Sequence, residues 1–414
     1  MATLQHKLRL AACTLIAAGS SNPSHLVAAE NPWQVDTSYL SYQETDQRVS
    51  VSKTLANLIR ENDKGSMTVN LVHDTMSGAS PTGAIRSSDS AVTYTGVSGG
   101  NGFSADSSGD YSKSAFDDTR IQAGLKLEHI RSEGLTFSYG GAVSQESDYE
   151  SFGGNVSIAK ESVDRASTLS TGIAVTVDSI YRSDTGGTPE PLGNIQQIRP
   201  YSAGSRNTVD GILGYSRVLN RNTIAQVNVG FGASEGYHSD PYKIISAAKD
   251  DNRILANFYD SRPESRLRTS LFGKLVHQLQ GTRNSVHLSY RLYRDDWGIQ
   301  SHTADLRYRH QFTKRQYLEP HLRLYRQSQA DFYQRKLSVD ANSNPILPDS
   351  GFASSDYRLD TMTSATIGLK YGLALSRKTD LRLRAQYLDQ RFSTADYGTN
   401  AAVIFQASLK YQFY

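Results

Sequence analysis

The chain has 414 residues, a formal charge of +3, a mean hydropathy of −0.49, 24 Tyr against 13 Phe, and a single Cys. No run approaches the ~20 apolar residues that a transmembrane helix needs, which excludes a bundle of such helices. A net charge this small gives no reason to expect nucleic acid as a partner; the length suits two or three soluble domains or one large barrel.

Residues 1–29 read as an export signal. Lys7 and Arg9 precede an apolar core from Leu10 to Ala18, and Val27-Ala28-Ala29 supplies the small residues of a cleavage site, leaving Glu30 first. Cys13 lies inside this segment, so the mature part, 30–414, holds no cysteine, as suits an oxidising compartment. Leu10-Ala11-Ala12-Cys13 also resembles a lipoprotein acylation site, but three apolar residues after Arg9 fall short of the ~7–15 of a usable apolar region.

From Ser38 onwards, sorting residues by parity finds strand after strand, because successive side chains on a strand point to opposite faces. Leu40 and Tyr42 alternate in a short first strand, and Val49, Val51, Leu55 and Ile59 in a second. After a turn at Asn62 to Gly65, Met67, Val69 and Leu71 oppose Thr68, Asn70 and Asp74. Further strands span 121–127, 135–143, 152–158, 169–177, 209–215, 225–231 and 267–275, three lie within Ser285 to Gln329, and 359–375, 381–387 and 403–413 complete about sixteen. The number falls to about fourteen if Ser38 to Arg60 stays periplasmic.

Connection lengths alternate as well. Tight turns at 62–65, 131–134, 220–222, 280–284, 313–316 and 377–379 interleave with long Gly/Ser/Asp-rich stretches at 77–118, 182–207, 235–263 and 330–356. A soluble sandwich has no reason to place every long loop at one end, and half-burying so many arginines in one would be costly. The fold expected is all-β, a transmembrane antiparallel up-and-down barrel with long extracellular loops and short periplasmic turns in the bacterial outer membrane. The last strand alternates Phe405, Leu409, Tyr411 and Phe413 before Tyr414, resembling the signal through which the barrel-assembly machinery recognises its substrates, with the apolar parity falling on Phe413.

The segment Ser285 to Gln329 shows the two faces most clearly, with Leu288, Tyr290, Leu306, Leu322 and Leu324 on one parity and Arg291, Arg307, Arg309 and Arg323 on the other. From Glu264 to Gln329 there are 12 Lys and Arg against 5 Asp and Glu, in a chain whose total is only +3. Arg268, Lys274, Arg291, Arg307, Arg309, Arg323, Lys370, Arg382 and Arg384 all have lumen parity, forming a basic stripe with few acids among them. Gln122, Ser138, Asn155, Ser157, Gln226 and Asn228 make the opposite wall small and polar. Such a lumen would favour anions, as charged rings do in pores; equally, the arginines could cross-link to Asp305, Glu319, Asp360 and tyrosines and brace a filled barrel.

Three other groups are candidates. At the end of the third strand, Asp74 has lumen parity, and Gly78, Ser80, Pro81 and Gly83 belong to a turn-rich loop whose N–H groups could cap Asp74 or fold back into the bore. His73 has the opposite parity from Asp74, so no Ser/His/acid set shares a face and no catalytic residue is assigned. Asp295, Asp296 and Trp297 form a rim hairpin, read as a turn with salt bridges to Arg294 and Trp297 at the lipid headgroups; calcium wants more oxygens than this pair offers. The acidic loop Ser104 to Asp118 is read as solvated, with calcium as the weaker alternative. His302, His310 and His321 lack metal-ligand spacing along one face.

The run Val69 to Ala84 (VNLVHDTMSGASPTGA), Ser289-Tyr290-Arg291 through Arg294-Asp295-Asp296-Trp297-Gly298-Ile299, and Arg326 to Tyr333 (RQSQADFY) resemble a bacterial family catalogued as domain of unknown function 3570. The resemblance spans most of the mature chain and implies an outer-membrane barrel. Members are often encoded near a flavin transferase and small periplasmic redox proteins, which implies a periplasmic redox partner. No haem-attachment Cys-x-x-Cys-His occurs here, and no cofactor is expected. The functional expectation is a channel or transport barrel in the lipid bilayer and not an enzyme, with a barrel scaffold or conduit for a periplasmic partner as the alternative.

Overall fold

The computed structural model describes residues 33–45, 48–85, 113–131, 134–197, 201–394 and 398–413. The expected export signal, Cys13, the acidic stretch 104–112 and Tyr414 lie outside these residues. The described strands are β1 (Trp33–Glu44), β2 (Val49–Asn62), β3 (Gly65–Pro81), β4 (Lys113–Arg131), β5 (Leu135–Gln145), β6 (Tyr149–Glu161), β7 (Ser167–Ile180), β8 (Gly204–Asn220), β9 (Thr223–Gly236), β10 (Ile244–Ala248), β11 (Ile254–Tyr259), β12 (Ser265–Gln278), β13 (Ser285–Asp295), β14 (Gln300–Gln311), β15 (Gln316–Gln327), β16 (Met362–Ala374), β17 (Thr379–Phe392) and β18 (Thr399–Phe413). All except β10 and β11 close into one antiparallel barrel of sixteen strands, with β1 on β18 from Trp33↔Phe413 to Glu44↔Ala402. Both amino-terminal strands are therefore part of the wall, and the fourteen-strand alternative fails.

Exposure alternates along the wall as parity requires. On β12, Leu267, Leu271 and Leu275 are exposed while Arg266, Arg268 and Lys274 are partly covered. Phe231 keeps 57% of its surface, and Leu288, Leu306, Leu324, Ile367 and Phe405 are likewise exposed. An apolar skin on every side of a closed cylinder meets lipid, so the barrel crosses the outer membrane.

The apolar sets of β1 and β2 point the other way from those of later strands. Tyr39 is exposed, whereas Tyr42 and Val51, paired across the two strands, are buried with Ala402 and pack against Leu40, Val49 and Met76. On the same inner parity Lys53 reaches Asp74 at 3.6 Å, and Asn70 donates to Asn57 at 2.7 Å. Alternation shows that two faces exist, but not which one meets lipid; here serine and threonine at 50, 52 and 54 share the outer side with Tyr39.

With β1 starting and β18 ending on the periplasmic side, the turns after β2, β4, β6, β8, β12, β14 and β16 fall there and are all tight, while the four long connections share the outer side with the short ones after β1, β5, β13 and β17. One of the four, between β3 and β4, is shortened at both ends because β3 continues to Pro81 and β4 starts at Lys113. The connection after β9 contains the β10–β11 hairpin, which the parity test misses. Its first strand, IISAA, is buried at every position and so shows no alternation.

Candidate functional site

The nine cations of the stripe all sit on β12–β17, the strands that make one wall of the bore. The wall holds more acids than expected. Arg268 donates to Asp210 at 3.0 Å, Arg307 pairs with Asp305 at 3.0 Å, Lys370 with Glu319 at 2.6 Å, and Arg382 bonds both oxygens of Asp36 at 2.7 and 2.8 Å. Asp305 also meets His321 Nε2 at 2.6 Å, and Gln386 holds the other ring nitrogen at 2.9 Å. Tyrosines supply the remaining bracing: Arg309 lies 3.7 Å above the Tyr317 ring and Arg291 5.9 Å from that of Tyr293. Gly372 makes room for this stack, since a Cβ there would fall 2.0 Å from Tyr317. Asp360, expected as a further brace for the arginines, instead accepts from Ser393 Oγ and the Thr394 and Thr361 amides. Lys274, Arg323 and Arg384 make no ion pair among the described residues. Arg384 joins Arg307, Lys370, His321 and Glu319 around a small recess in the wall.

At the outer end, the connections 237–264 and 328–361 fold together. Ala247 bridges Leu337 and Ser261 bridges Ala353, around a core of Ile245, Phe258, Leu337 and Ala353. Three acids and three bases are buried beside it. Arg262 donates to Asp260 at 2.6 Å and Asp356 at 2.8 Å; Arg358 donates to Asp356 at 2.6 Å and to Asp240 at 2.5 Å. Burial alone would raise Asp240 and Asp356, but Arg358 and the neighbouring cations hold both carboxyls well below the usual range. Burial, with Arg358 nearby, pushes the Lys243 ammonium down to about 8. This body touches strand ends all round the barrel. Tyr357 lies under Arg48 and against Phe392, Gln327 of β15 donates to the Arg358 and Asp360 carbonyls, and Phe332 packs on Trp297 beyond β13. It therefore bridges the outer mouth.

The motif after β3 is an anchor of this body. Gly78, Ser80 and Pro81 are still within β3, where Gly78 pairs with Val49 and Phe116, so they are not a free loop. Asp74 faces the bore, but its cap is Arg120, bonded to both oxygens at 2.9 and 2.7 Å, not loop N–H groups. Thr82, Gly83 and Ala84 then turn into the buried layer: the Thr82 carbonyl accepts from Ile244, and that of Gly83 from Arg335 and Ser355 at 2.8 Å each. Lys243 bonds Ser80 Oγ at 3.1 Å and the Pro81 carbonyl.

The rim hairpin departs from expectation in two respects. Trp297 is 4% exposed, wedged between Arg266, whose guanidinium lies 4.1 Å above its ring, and Phe332, and its Nε1 donates to Ser265. It anchors a loop, not the headgroup layer, because the chain from 328 folds back over it. Asp295 pairs with Arg266, not Arg294, and also accepts from Tyr293 Oη and the Trp297 and Ile299 amides. Asp296 accepts from the Leu267 amide.

A cluster not anticipated in the sequence gathers Asp118 with Glu146 and Asp148 from the tight β5–β6 turn, their oxygens within 4.8 Å of one another. Burial and the Asp118 charge push Glu146 up to about 8, and Asp148 rises to about 6 for the same reasons. Asp118 accepts from Ser147 Oγ at 2.6 Å. Only the run of acids toward Asp118 was visible in the sequence; its partners come from a three-residue turn.

The profile of a family described as "Protein of unknown function (DUF3570)" matches residues 5–410. No curated protein matches the sequence. Among solved structures, the chain is similar to one titled "CymD monoaromatic hydrocarbon channel" at 7% identity, with 93% of this chain and 90% of that chain covered and a TM-score of 0.42. It is similar to "Bacterial polysaccharide outer membrane secretin" at 7% identity, with 94% and 100% covered and a TM-score of 0.47. For the toluene transporter TodX of Pseudomonas putida the values are 10% identity, 95% and 92% covered, and a TM-score of 0.39.

Proposed function

The chain belongs to the DUF3570 family, and from the wall that its barrel presents to the bore we propose an outer-membrane channel that favours anions, rather than an enzyme. The observation carrying this is that Lys274, Arg323 and Arg384 face the bore without an ion-pair partner among the described residues. In a water-filled cylinder with a low-dielectric wall, uncompensated cations focus the field and concentrate small anions. The test is conductance of the purified protein in planar bilayers under a KCl gradient. A reversal potential displaced toward chloride, reduced by Lys274→Gln, Arg323→Gln and Arg384→Gln together, supports the reading; cation preference ends it.

A second reading, a scaffold or conduit for a periplasmic redox-associated partner, is favoured by the folded loop body across the outer mouth. It expects no current and stable co-purification of a partner. For either, the exposed Val403, Phe405, Leu409 and Tyr411 of β18 are the proposed mark for the barrel-assembly machinery.

A further inference from the structure

The periplasmic rim carries a charge pattern of its own, independent of whether the bore conducts. Three successive turns on one half of the barrel, those of β12–β13, β14–β15 and β16–β17, contain Arg283, Lys314, Arg315, Arg377 and Lys378 and no acid. All five are exposed. Elsewhere the β2–β3 and β6–β7 turns mix signs, with Asp63 beside Lys64 and Asp164 beside Arg165, while the β8–β9 turn next to the arc carries Arg221 alone. The nearest acid in sequence to the basic turns is Asp380, whose backbone register partner on β18 is Lys410.

Two features separate this arc from an ordinary headgroup contact. Outward-facing residues flanking the turns are apolar or aromatic, among them Leu275, Phe312, Tyr308 and Leu381, so the cations occupy turn tips and not the lipid face. The same strands carry Arg309 and Arg384 into the bore without an ion pair among the described residues, beside Lys370 and Arg382, which are paired with Glu319 and Asp36, so the basic side chains continue from the rim inward along one wall. The turns alternate with outer connections, so their centres stand roughly two strand spacings, ~10 Å, apart along the rim. The arc is therefore ~20 Å long, comparable to one side of a standard protein interface.

We infer that these turns form a docking surface for an acidic face of a periplasmic protein. Charge complementarity of this kind steers association and fixes orientation, and weakens with salt. The surface needs no current through the barrel, so a silent bilayer would leave it standing.

The experiment uses the full barrel in nanodiscs of zwitterionic phospholipid, with fluorescent polyglutamate as probe. Expected is saturable binding that weakens as salt rises, and at least tenfold weaker binding when Arg283, Lys314, Arg315, Arg377 and Lys378 are all changed to Gln. Substituting Arg294, Arg326 and Arg391 at the outer rim by Gln should leave the affinity unchanged. No binding by the wild-type barrel, or equal binding by the five-site variant, overturns the proposal. Preferential retention of phosphatidylglycerol over polyglutamate by the same five cations assigns the turns to lipid and overturns it too. Heat-modifiable migration on electrophoresis shows that each variant has folded.

Discussion

Asp240 and Arg358 stand 118 residues apart in sequence and in different outer connections, yet the Arg358 guanidinium donates to Asp240 at 2.5 Å inside a largely buried cluster. Asp356 shares the same guanidinium. Removing one partner of such a pair leaves buried charge uncompensated and costs about 3–5 kcal/mol. Arg358→Gln should therefore raise amide exchange in 240–262 and 354–360 while barrel strands stay protected. Arg358→Lys, which keeps the charge but loses the fork, should fall between.

Gly83 has φ near +101°, and a Cβ there would lie 2.4 Å from both the Ile244 carbonyl and Ser355 Oγ. Gly83→Ala combines backbone strain with displacement of a buried partner, about 1–3 kcal/mol. Limited proteolysis should cut the outer connections of this variant faster, with barrel migration on gels unchanged. Equal cleavage would show that the 82–85 segment does not anchor the loop body.

The two tryptophans occupy different surroundings. Trp33 lies on the lipid-facing parity of β1, under Arg60, whereas Trp297 is enclosed by Phe332, His238 and Arg266. Brominated lipids should quench a Trp297→Phe variant, which retains Trp33, much more than a Trp33→Phe variant. Trp297→Ala should loosen the loop body by about 3–5 kcal/mol through loss of a large buried ring.

Glu146 gives the outer end a pH dependence. An ordinary glutamate ionises near 4.5, but burial and Asp118 keep the folded carboxyl protonated to about 8. Ionising it is harder folded than unfolded, so local stability is full below 4.5, declines as pH rises toward 8, and levels off above. Asp148, raised to about 6, acts in the same direction. Protection of the amides at 146–149, taken relative to their intrinsic exchange rate at each pH, should be lower at pH 9 than at pH 6, and Glu146→Gln should remove most of that difference. A variant with the same pH response would locate the titration elsewhere.

Much of the wall was legible in residues 285–329 because leucine and arginine alternate there without interruption, and each parity has its own chemistry. In β1 and β2 the rhythm was legible but its sense was not, since Ser50, Ser52 and Thr54 are polar while Val49 and Val51 are apolar inside the bore. The loop body was the least legible. Trp297 at a strand end matches a headgroup anchor by local pattern, and only contact with Phe332, 35 residues on, reverses that. The acids on the basic wall were each visible, but Asp36 with Arg382 and Asp210 with Arg268 depend on which strands become neighbours.

Thr37 on the first strand accepts its place only when Leu409, 372 residues later, lies beside it. Until then an incomplete sheet has two raw edges, each with a dozen unsatisfied backbone positions inviting foreign strands. Contacts so distant along the chain also make ring closure slow. Cutting the polypeptide short anywhere before β18 should thus yield not a smaller cylinder but an adhesive, aggregation-prone sheet, recoverable only if the missing strand is supplied in trans.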